Sequence, residues 1–154
     1  MKKNKIFLIL IFVFVLVLTG CSNTKEKSLV CTKNVTETAN VKPTFDYKLY
    51  YDGEYVTRTD FIDKVTFTDD KTLEEYKTSY ESSLAPYQNI KYYNVSVEKS
   101  NKTLIISVKI DYTKVDYKKI LEIEGTNDNI FTKKGKVKLT TLKNFYEKVG
   151  ISCK

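Results

Sequence analysis

Apolar and polar residues alternate along much of the chain between residues 28 and 112, a two-residue period typical of strands that bury one face. Phe45, Tyr47 and Leu49 are separated by polar or charged neighbours, and the run 103–112 repeats the pattern with aliphatic residues. The alternation predicts strands at 28–35, from 43 to the Asp52-Gly53 turn, at 54–68, at 90–99 and at 103–112.

Two turns join these strands into hairpins. Asp52-Gly53 between alternating runs is a strong short hairpin signal, and residues 100–102 turn the chain between the last two strands. In the strand 54–68 the alternation slips at residues 60–62, where Phe61 is followed directly by Ile62. This slip predicts a β-bulge or a bend.

A helical period replaces the alternation after residue 69. Leu73, Tyr76, Tyr80 and Leu84 recur at helical spacing, which predicts a helix over 73–84 that ends before Pro86 and packs its tyrosines into the core. Thr72 with Glu75 forms a capping box at its start.

The last forty residues predict weaker elements and a second main helix. Residues 113–123 are weakly helical, 125–129 form a loop and 136–139 form a short edge strand. Leu142, Phe145, Tyr146 and Val149 then define the final helix, with Thr140 as its N-cap and Gly150 in the left-handed position after its end. The whole order predicts an α+β domain, with an antiparallel sheet built from hairpins and two main helices on one face.

The first 27 residues have the layout of a bacterial lipoprotein leader. Lys2, Lys3 and Lys5 precede an uncharged apolar stretch, 6–18, which leads into Leu18-Thr19-Gly20-Cys21. That stretch is shorter than the roughly 20 apolar residues that span a bilayer. We therefore expect a signal peptide at 1–20, a lipidated tether at 21–27 and one domain at 28–154. Acyl chains on Cys21 would anchor the domain to the extracytoplasmic face of a bacterial membrane.

The lack of histidine and the modest net charge exclude several classes of enzyme and of binding protein. The chain has no histidine, which excludes Ser-His and Cys-His nucleophile pairs and His-ligated zinc. The formal charge is +7, or +4 once the three leader lysines are removed, and it is spread among alternating signs. We therefore expect no nucleic-acid partner, no cofactor and no metal site.

Two cysteines remain once Cys21 is lipidated. Cys31 and Cys153 lie at the two ends of the domain, in segments that resemble strands. Outside the cytoplasm they could form a disulfide, and the alternative is two buried thiols that pack as small apolar groups.

Two sets of side chains are candidates for function. Tyr47, Tyr50, Tyr51 and Tyr55 could form an aromatic platform for a glycan or peptide, or be ordinary strand residues with one face buried. The second set is the carboxylates, which cluster at residues 69–70, 74–75 and 111/116. A hydrolase would need two of them to face each other across a cleft. Helix capping and exposed positions explain these carboxylates more simply.

The chain resembles the YehR-like family of small bacterial lipoproteins. The resemblance is carried by the Cys21 motif, the hairpin around 51–54, the string Val108-Lys109-Ile110-Asp111-Tyr112-Thr113-Lys114-Val115-Asp116 and the closing helix with Gly150-Ile151. It covers nearly all of the mature chain. It implies the fold and the location, and it supplies no catalytic residues because the family has no established activity.

These observations favour a membrane-anchored binding or interaction module over an enzyme. Its partner would be an envelope polymer, a peptide or a neighbouring protein. The alternatives are an envelope-associated hydrolase that uses carboxylates and a structural component of an envelope complex.

Overall fold

The computed structural model of this 154-residue chain describes residues 26–33, 35, 38–125 and 130–154. The predicted leader, Cys21 and the tether as far as residue 25 lie outside the described residues, as does most of the predicted loop 125–129. Within the described part, no helix is both long and apolar enough to span a membrane.

The described chain forms strands and helices in the order that the pattern predicted, and the α+β prediction is confirmed. The elements are β1 Lys27–Lys33, β2 Val41–Asp52, β3 Tyr55–Phe67, α1 Asp70–Leu84, β4 Tyr93–Ser100, β5 Thr103–Asp111, α2 Tyr117–Glu124, β6 Val137–Lys138, α3 Leu139–Lys148 and β7 Ile151–Cys153.

The strands make one antiparallel sheet in the order β4-β5-β3-β2-β1-β7, and the two-residue strand β6 pairs with the start of β3. The long hairpin β2–β3 lies at the centre, so its inward side chains form the floor on which the helices pack.

Both main helices lie on the same face of this sheet, as predicted. Phe61 and Phe67 point to one side of β3 because they are an even number of residues apart. The Phe61 ring lies 5.2 Å from Tyr146 of α3, and the Phe67 ring lies 5.1 Å from Tyr76 of α1. The other face of β2 and β3 carries mainly polar side chains: Lys42, Thr44, Asp46, Lys48, Arg58, Asp60, Lys64 and Thr66.

The apolar interior divides into two clusters along the sheet. The smaller one lies under α1 and contains Val65, Phe67, Leu73, Leu104 and Ile106. The larger one lies under α2 and α3 and reaches the sheet edge at β7; its members include Cys31, Leu49, Val137, Leu142 and Cys153. Asp63 lies on β3 between Phe61, which packs against the larger cluster, and Val65, which belongs to the smaller one.

The predicted caps of both main helices are wrong. α1 is capped by Asp69, whose carboxylate accepts a hydrogen bond from the Thr72 amide at 2.8 Å, so the helix begins three residues earlier than predicted. α3 begins at Leu139, before the predicted Thr140 cap, because it follows directly from β6. Gly150 does adopt a positive φ of 80° after α3, as predicted.

Of the bulge or bend predicted at residues 60–62, the bulge is wrong. β3 pairs in unbroken register with β5 from Arg58 to Thr66, and its pairing with β2 shifts only opposite Tyr50 and Tyr51. The slip in the pattern has another cause: Ile62 points to the polar face of the sheet, and Asp63 points to the apolar one.

The structure joins Cys31 and Cys153 in a disulfide, in agreement with the first of the two alternatives. The two residues face each other in the register of β1 and β7. The bond therefore fastens β7 to β1.

Candidate functional site

Asp63 is a carboxylate at a position where the sheet otherwise turns apolar side chains toward the helices. Its neighbours on that face of β3 are Phe61 and Val65, and it is half-buried. An ionised group at such a position costs free energy unless polar partners surround it. A carboxylate retained there is a candidate for function.

One oxygen of Asp63 is held from the neighbouring strand. The Tyr47 hydroxyl of β2 donates a hydrogen bond to Asp63 Oδ1. Tyr47 is 3% exposed, and its ring stacks on Phe61 at 4.5 Å between centroids. Because the donor is fixed by packing, it fixes the orientation of the carboxylate.

The other oxygen, Oδ2, is left unbonded in a residue that lines a cavity. Among the described residues Oδ2 has no hydrogen-bond partner, and no side-chain oxygen there is both fully buried and unpartnered. The cavity has a volume of about 230 Å³ and lies between the β2–β3 hairpin, α1 and the end of β1. Its walls are apolar and aromatic: Val41, Phe45, Val65, Tyr76 and Tyr80.

Burial dominates the electrostatics of this carboxyl. It raises the pKa of Asp63 above the ordinary value, while the Tyr47 hydrogen bond and the charge of Lys33 act in the opposite direction. Burial and the Asp63 hydrogen bond raise the pKa of Tyr47, so its hydroxyl remains a donor. Burial, with the nearby Asp63 charge, also raises the pKa of Tyr80.

Lys33 brings an ammonium group to the same cavity. Its Nζ lies 5.3 Å from the centroid of the Phe45 ring, in a cation–π contact. No cation of the described residues lies within 4.0 Å of the Asp63 carboxylate. The site therefore holds an ammonium on an aromatic ring and leaves the carboxylate without a direct ion pair.

The four tyrosines predicted as a platform do not share a surface. Tyr47 and Tyr51 point to the apolar side, where Tyr47 is buried and Tyr51 packs against the larger cluster. Tyr50 lies on the polar face, with the Arg58 guanidinium 3.4 Å from its ring centroid. Tyr55 lies beyond the hairpin turn. The prediction of one aromatic surface is wrong, since neighbouring positions on a strand face opposite sides.

The carboxylates considered for hydrolysis have structural partners, except Asp70, which lies in the first turn of α1. Asp69 and Asp116 cap α1 and α2, and Glu74 pairs with Lys99 at 2.6 Å. Asp111 bonds to Thr113 and Lys114, and Glu75 pairs with Lys71. None of them lines the Asp63 cavity, and no metal-binding group of three or more acidic or cysteine side chains occurs in the part described.

A second cavity, of about 260 Å³, lies under α3. The Tyr112 hydroxyl interacts with the hydroxyls of Thr59 and Tyr146 at this cavity, and burial raises the pKa of Tyr112 to about 12. Glu124, the carboxylate that lines this cavity, already accepts a hydrogen bond from the Tyr87 hydroxyl at 3.1 Å, so we consider Asp63 the stronger candidate.

The sequence interpretation missed Asp63, Lys33 and Tyr80 as a site. A signal was present: Asp63 falls in phase with Phe61 and Val65, so a regular strand places it on the buried side. The direct succession of Phe61 and Ile62 instead predicted a bulge or a bend.

Comparison with known proteins supports the fold. No family model and no curated protein sequence matches the chain. Among solved structures, the NMR structure of the E. coli YehR protein superposes with a TM-score of 0.61 at 21% identity, covering 85% of this chain and 92% of that one. An NMR structure of a protein from Streptococcus pneumoniae TIGR4 gives 0.53 at 10% identity, with 88% of each chain covered. The resemblance to YehR-like proteins is confirmed at the level of the fold: this chain has the fold of YehR.

Proposed function

We propose that this chain is a bacterial lipoprotein, anchored through Cys21, whose extracytoplasmic domain binds a ligand that carries an ammonium group. The observation that carries the binding proposal is the open oxygen of Asp63 at the floor of an aromatic cavity. The anchoring and the binding rest on separate observations.

The disulfide supports an extracytoplasmic location. Bonds of this kind persist in oxidising compartments and are rare in the cytosol. Cys31 and Cys153 are consumed by their bond, so Cys21 is the one cysteine of the chain left to carry a lipid. It directly follows an apolar leader and a small residue, as lipoprotein processing requires.

The chemistry of the cavity favours an ammonium ligand. Asp63 Oδ2 can accept a charge-assisted hydrogen bond, and Phe45, Tyr76 and Tyr80 offer rings to a cation or to its apolar stem. Lys33 already shows that an ammonium fits against Phe45. A lysyl side chain or terminal amine of an envelope peptide has this chemistry.

A hydrolase that uses paired carboxylates has no specific observation in its favour. Asp63 is the single carboxyl among the described residues that line this cavity. A binding module therefore fits the geometry better.

Titration with n-butylammonium tests the binding proposal. We expect saturable binding to the wild type, followed by NMR shifts of residues around the cavity. Asp63→Asn should weaken it by about tenfold or more, because a charged hydrogen bond contributes roughly 1.5–3 kcal/mol. Asp46→Asn is the matched control, since Asp46 is an exposed carboxylate on the opposite face of the adjacent strand.

Lys33 provides the reciprocal experiment. Removing its charge in Lys33→Met should strengthen butylammonium binding, because like charges no longer share the cavity. Lys48→Met on the polar face is the matched control. Equal affinity in the wild type and Asp63→Asn, or weaker binding in Lys33→Met, would contradict the proposal.

A further inference from the structure

The chain leaves the domain toward Cys21 at one defined end of the sheet. β1 begins at Lys27, which faces Tyr51, two residues before the β2–β3 turn. The six-residue step from Cys21 to Lys27 reaches at most about 20 Å. If Cys21 is acylated, this end of the sheet is held close to the membrane surface.

A turn rich in lysine lies at the same end. β6 pairs with β3 so that Lys138 faces Tyr55, and residues 132–136 precede β6. We call residues 132–136 the basic turn. Lys133, Lys134 and Lys136 are exposed there, and none of them forms an ion pair with another described residue.

The shape of the basic turn is fixed by the fold. The Thr132 amide donates to the Lys136 carbonyl and the Gly135 amide to the Thr132 carbonyl, each at 2.8 Å. Gly135 has a φ of +74°, and a Cβ there would overlap the Tyr117 ring. The lysines are therefore presented by a closed turn that packs against α2.

An aromatic side chain accompanies the charges. The Lys136 ammonium lies 4.8 Å from the centroid of the Tyr55 ring, and both line a cavity at this end of the domain. Tyrosine suits a membrane–water boundary because it joins an apolar ring to a polar tip. Lysine close to an anionic bilayer contributes binding through Coulomb attraction.

We propose that the basic turn is a second membrane contact, in which Lys133, Lys134 and Lys136 lie against anionic phospholipid headgroups. The proposal rests on the anchoring of Cys21 and is independent of the Asp63 cavity. It gives the domain an orientation: the basic turn faces the bilayer, and the N-terminal end of α1 faces away from it.

Lysine acetylation of the full lipidated chain in vesicles tests this orientation. In vesicles of phosphatidylcholine with about one third phosphatidylglycerol, we expect the three turn lysines to react several-fold more slowly than in phosphatidylcholine alone. Lys71, in the first turn of α1 at the opposite end of the sheet, is the internal control and should react equally in both. Equal rates for the turn lysines in the two vesicles would overturn the proposal.

A second arm separates the basic turn from the anchor. Labelling with a clickable fatty acid in the native host should mark the wild type and not Cys21→Ala; labelling of neither would refute the anchor alone.

The mature Cys21→Ala chain should still bind the anionic vesicles weakly. Changing the three turn lysines to Gln should reduce that binding by about tenfold or more, at roughly fivefold per lysine before screening. The matched triple change of Lys71, Lys99 and Lys102 should have little effect, and equal losses in the two triple variants would refute the turn contact.

Discussion

Replacing Cys31 and Cys153 by Ala lowers the free energy of unfolding by about 2–5 kcal/mol. The bond closes a loop between residues that are 122 positions apart, so its loss releases a large conformational entropy in the unfolded chain. It also removes the covalent link that holds the three-residue strand β7 to β1. Urea unfolding of the oxidised wild type and the double variant measures the difference.

A reducing agent supplies the control for this experiment. It should lower the wild-type midpoint toward that of the double variant and leave the double variant unchanged. Identical midpoints for oxidised and reduced wild type would show that the bond does not stabilise the fold by constraining the unfolded chain.

Leu104→Ala lowers the free energy of unfolding by about 2–5 kcal/mol, whereas Ile105→Ala on the same strand costs about 1 kcal/mol or less. Leu104 is 0% exposed and packs with Phe67 and Leu73 beneath α1. Ile105 points to the other, uncovered face, opposite Lys64. Denaturant unfolding of the two variants compares the two faces directly.

The pair of neighbours is a matched test of the one-sided architecture. Each variant truncates an aliphatic side chain near the start of β5, where this strand pairs with both β3 and β4. Similar losses at both positions would mean that the second face is also buried, which contradicts helices on a single side.

The elements that could be predicted from the sequence are those set by local periodicity. Two such predictions agree with the structure because each pattern places its apolar residues on the side of the element that faces the core. They are the alternation of Leu104, Ile106 and Val108 and the helical spacing of Leu73 and Tyr80. The Asp52-Gly53 turn was equally local, and Gly53 has a φ of +57°.

The errors arose where a distant partner decides the outcome. Asp63 breaks the apolar pattern because Tyr47, sixteen residues away, supplies its hydrogen bond. Leu139 starts α3 because its amide bonds to the Glu54 carbonyl at 2.9 Å. Neither partner is visible in a short window of sequence.

The tyrosine platform failed for a simpler reason. Tyr47 and Tyr50 are separated by an odd number of positions on one strand, so they face opposite sides. Counting positions along the strand would have assigned the four tyrosines to different faces of the sheet, whereas their closeness in sequence suggested one surface.

The raised pKa of Asp63 has a defined consequence for stability. Burial favours the protonated carboxyl in the folded state, so this contribution to stability is complete below the unfolded-state pKa. It is lost as the pH rises through the higher folded-state pKa. Asp63→Asn should therefore flatten the pH dependence of unfolding in that window.

Titration of the Asp63 carboxyl carbon by NMR, with and without n-butylammonium, tests the binding site most directly. The carboxyl of the free protein should titrate above its ordinary pKa, and saturating butylammonium should lower that pKa, because a bound cation stabilises the carboxylate. A pKa that butylammonium leaves unchanged would contradict Asp63 as the ligand-binding group, and a pKa at or below the ordinary value in the free protein would contradict the dominance of burial at this carboxyl.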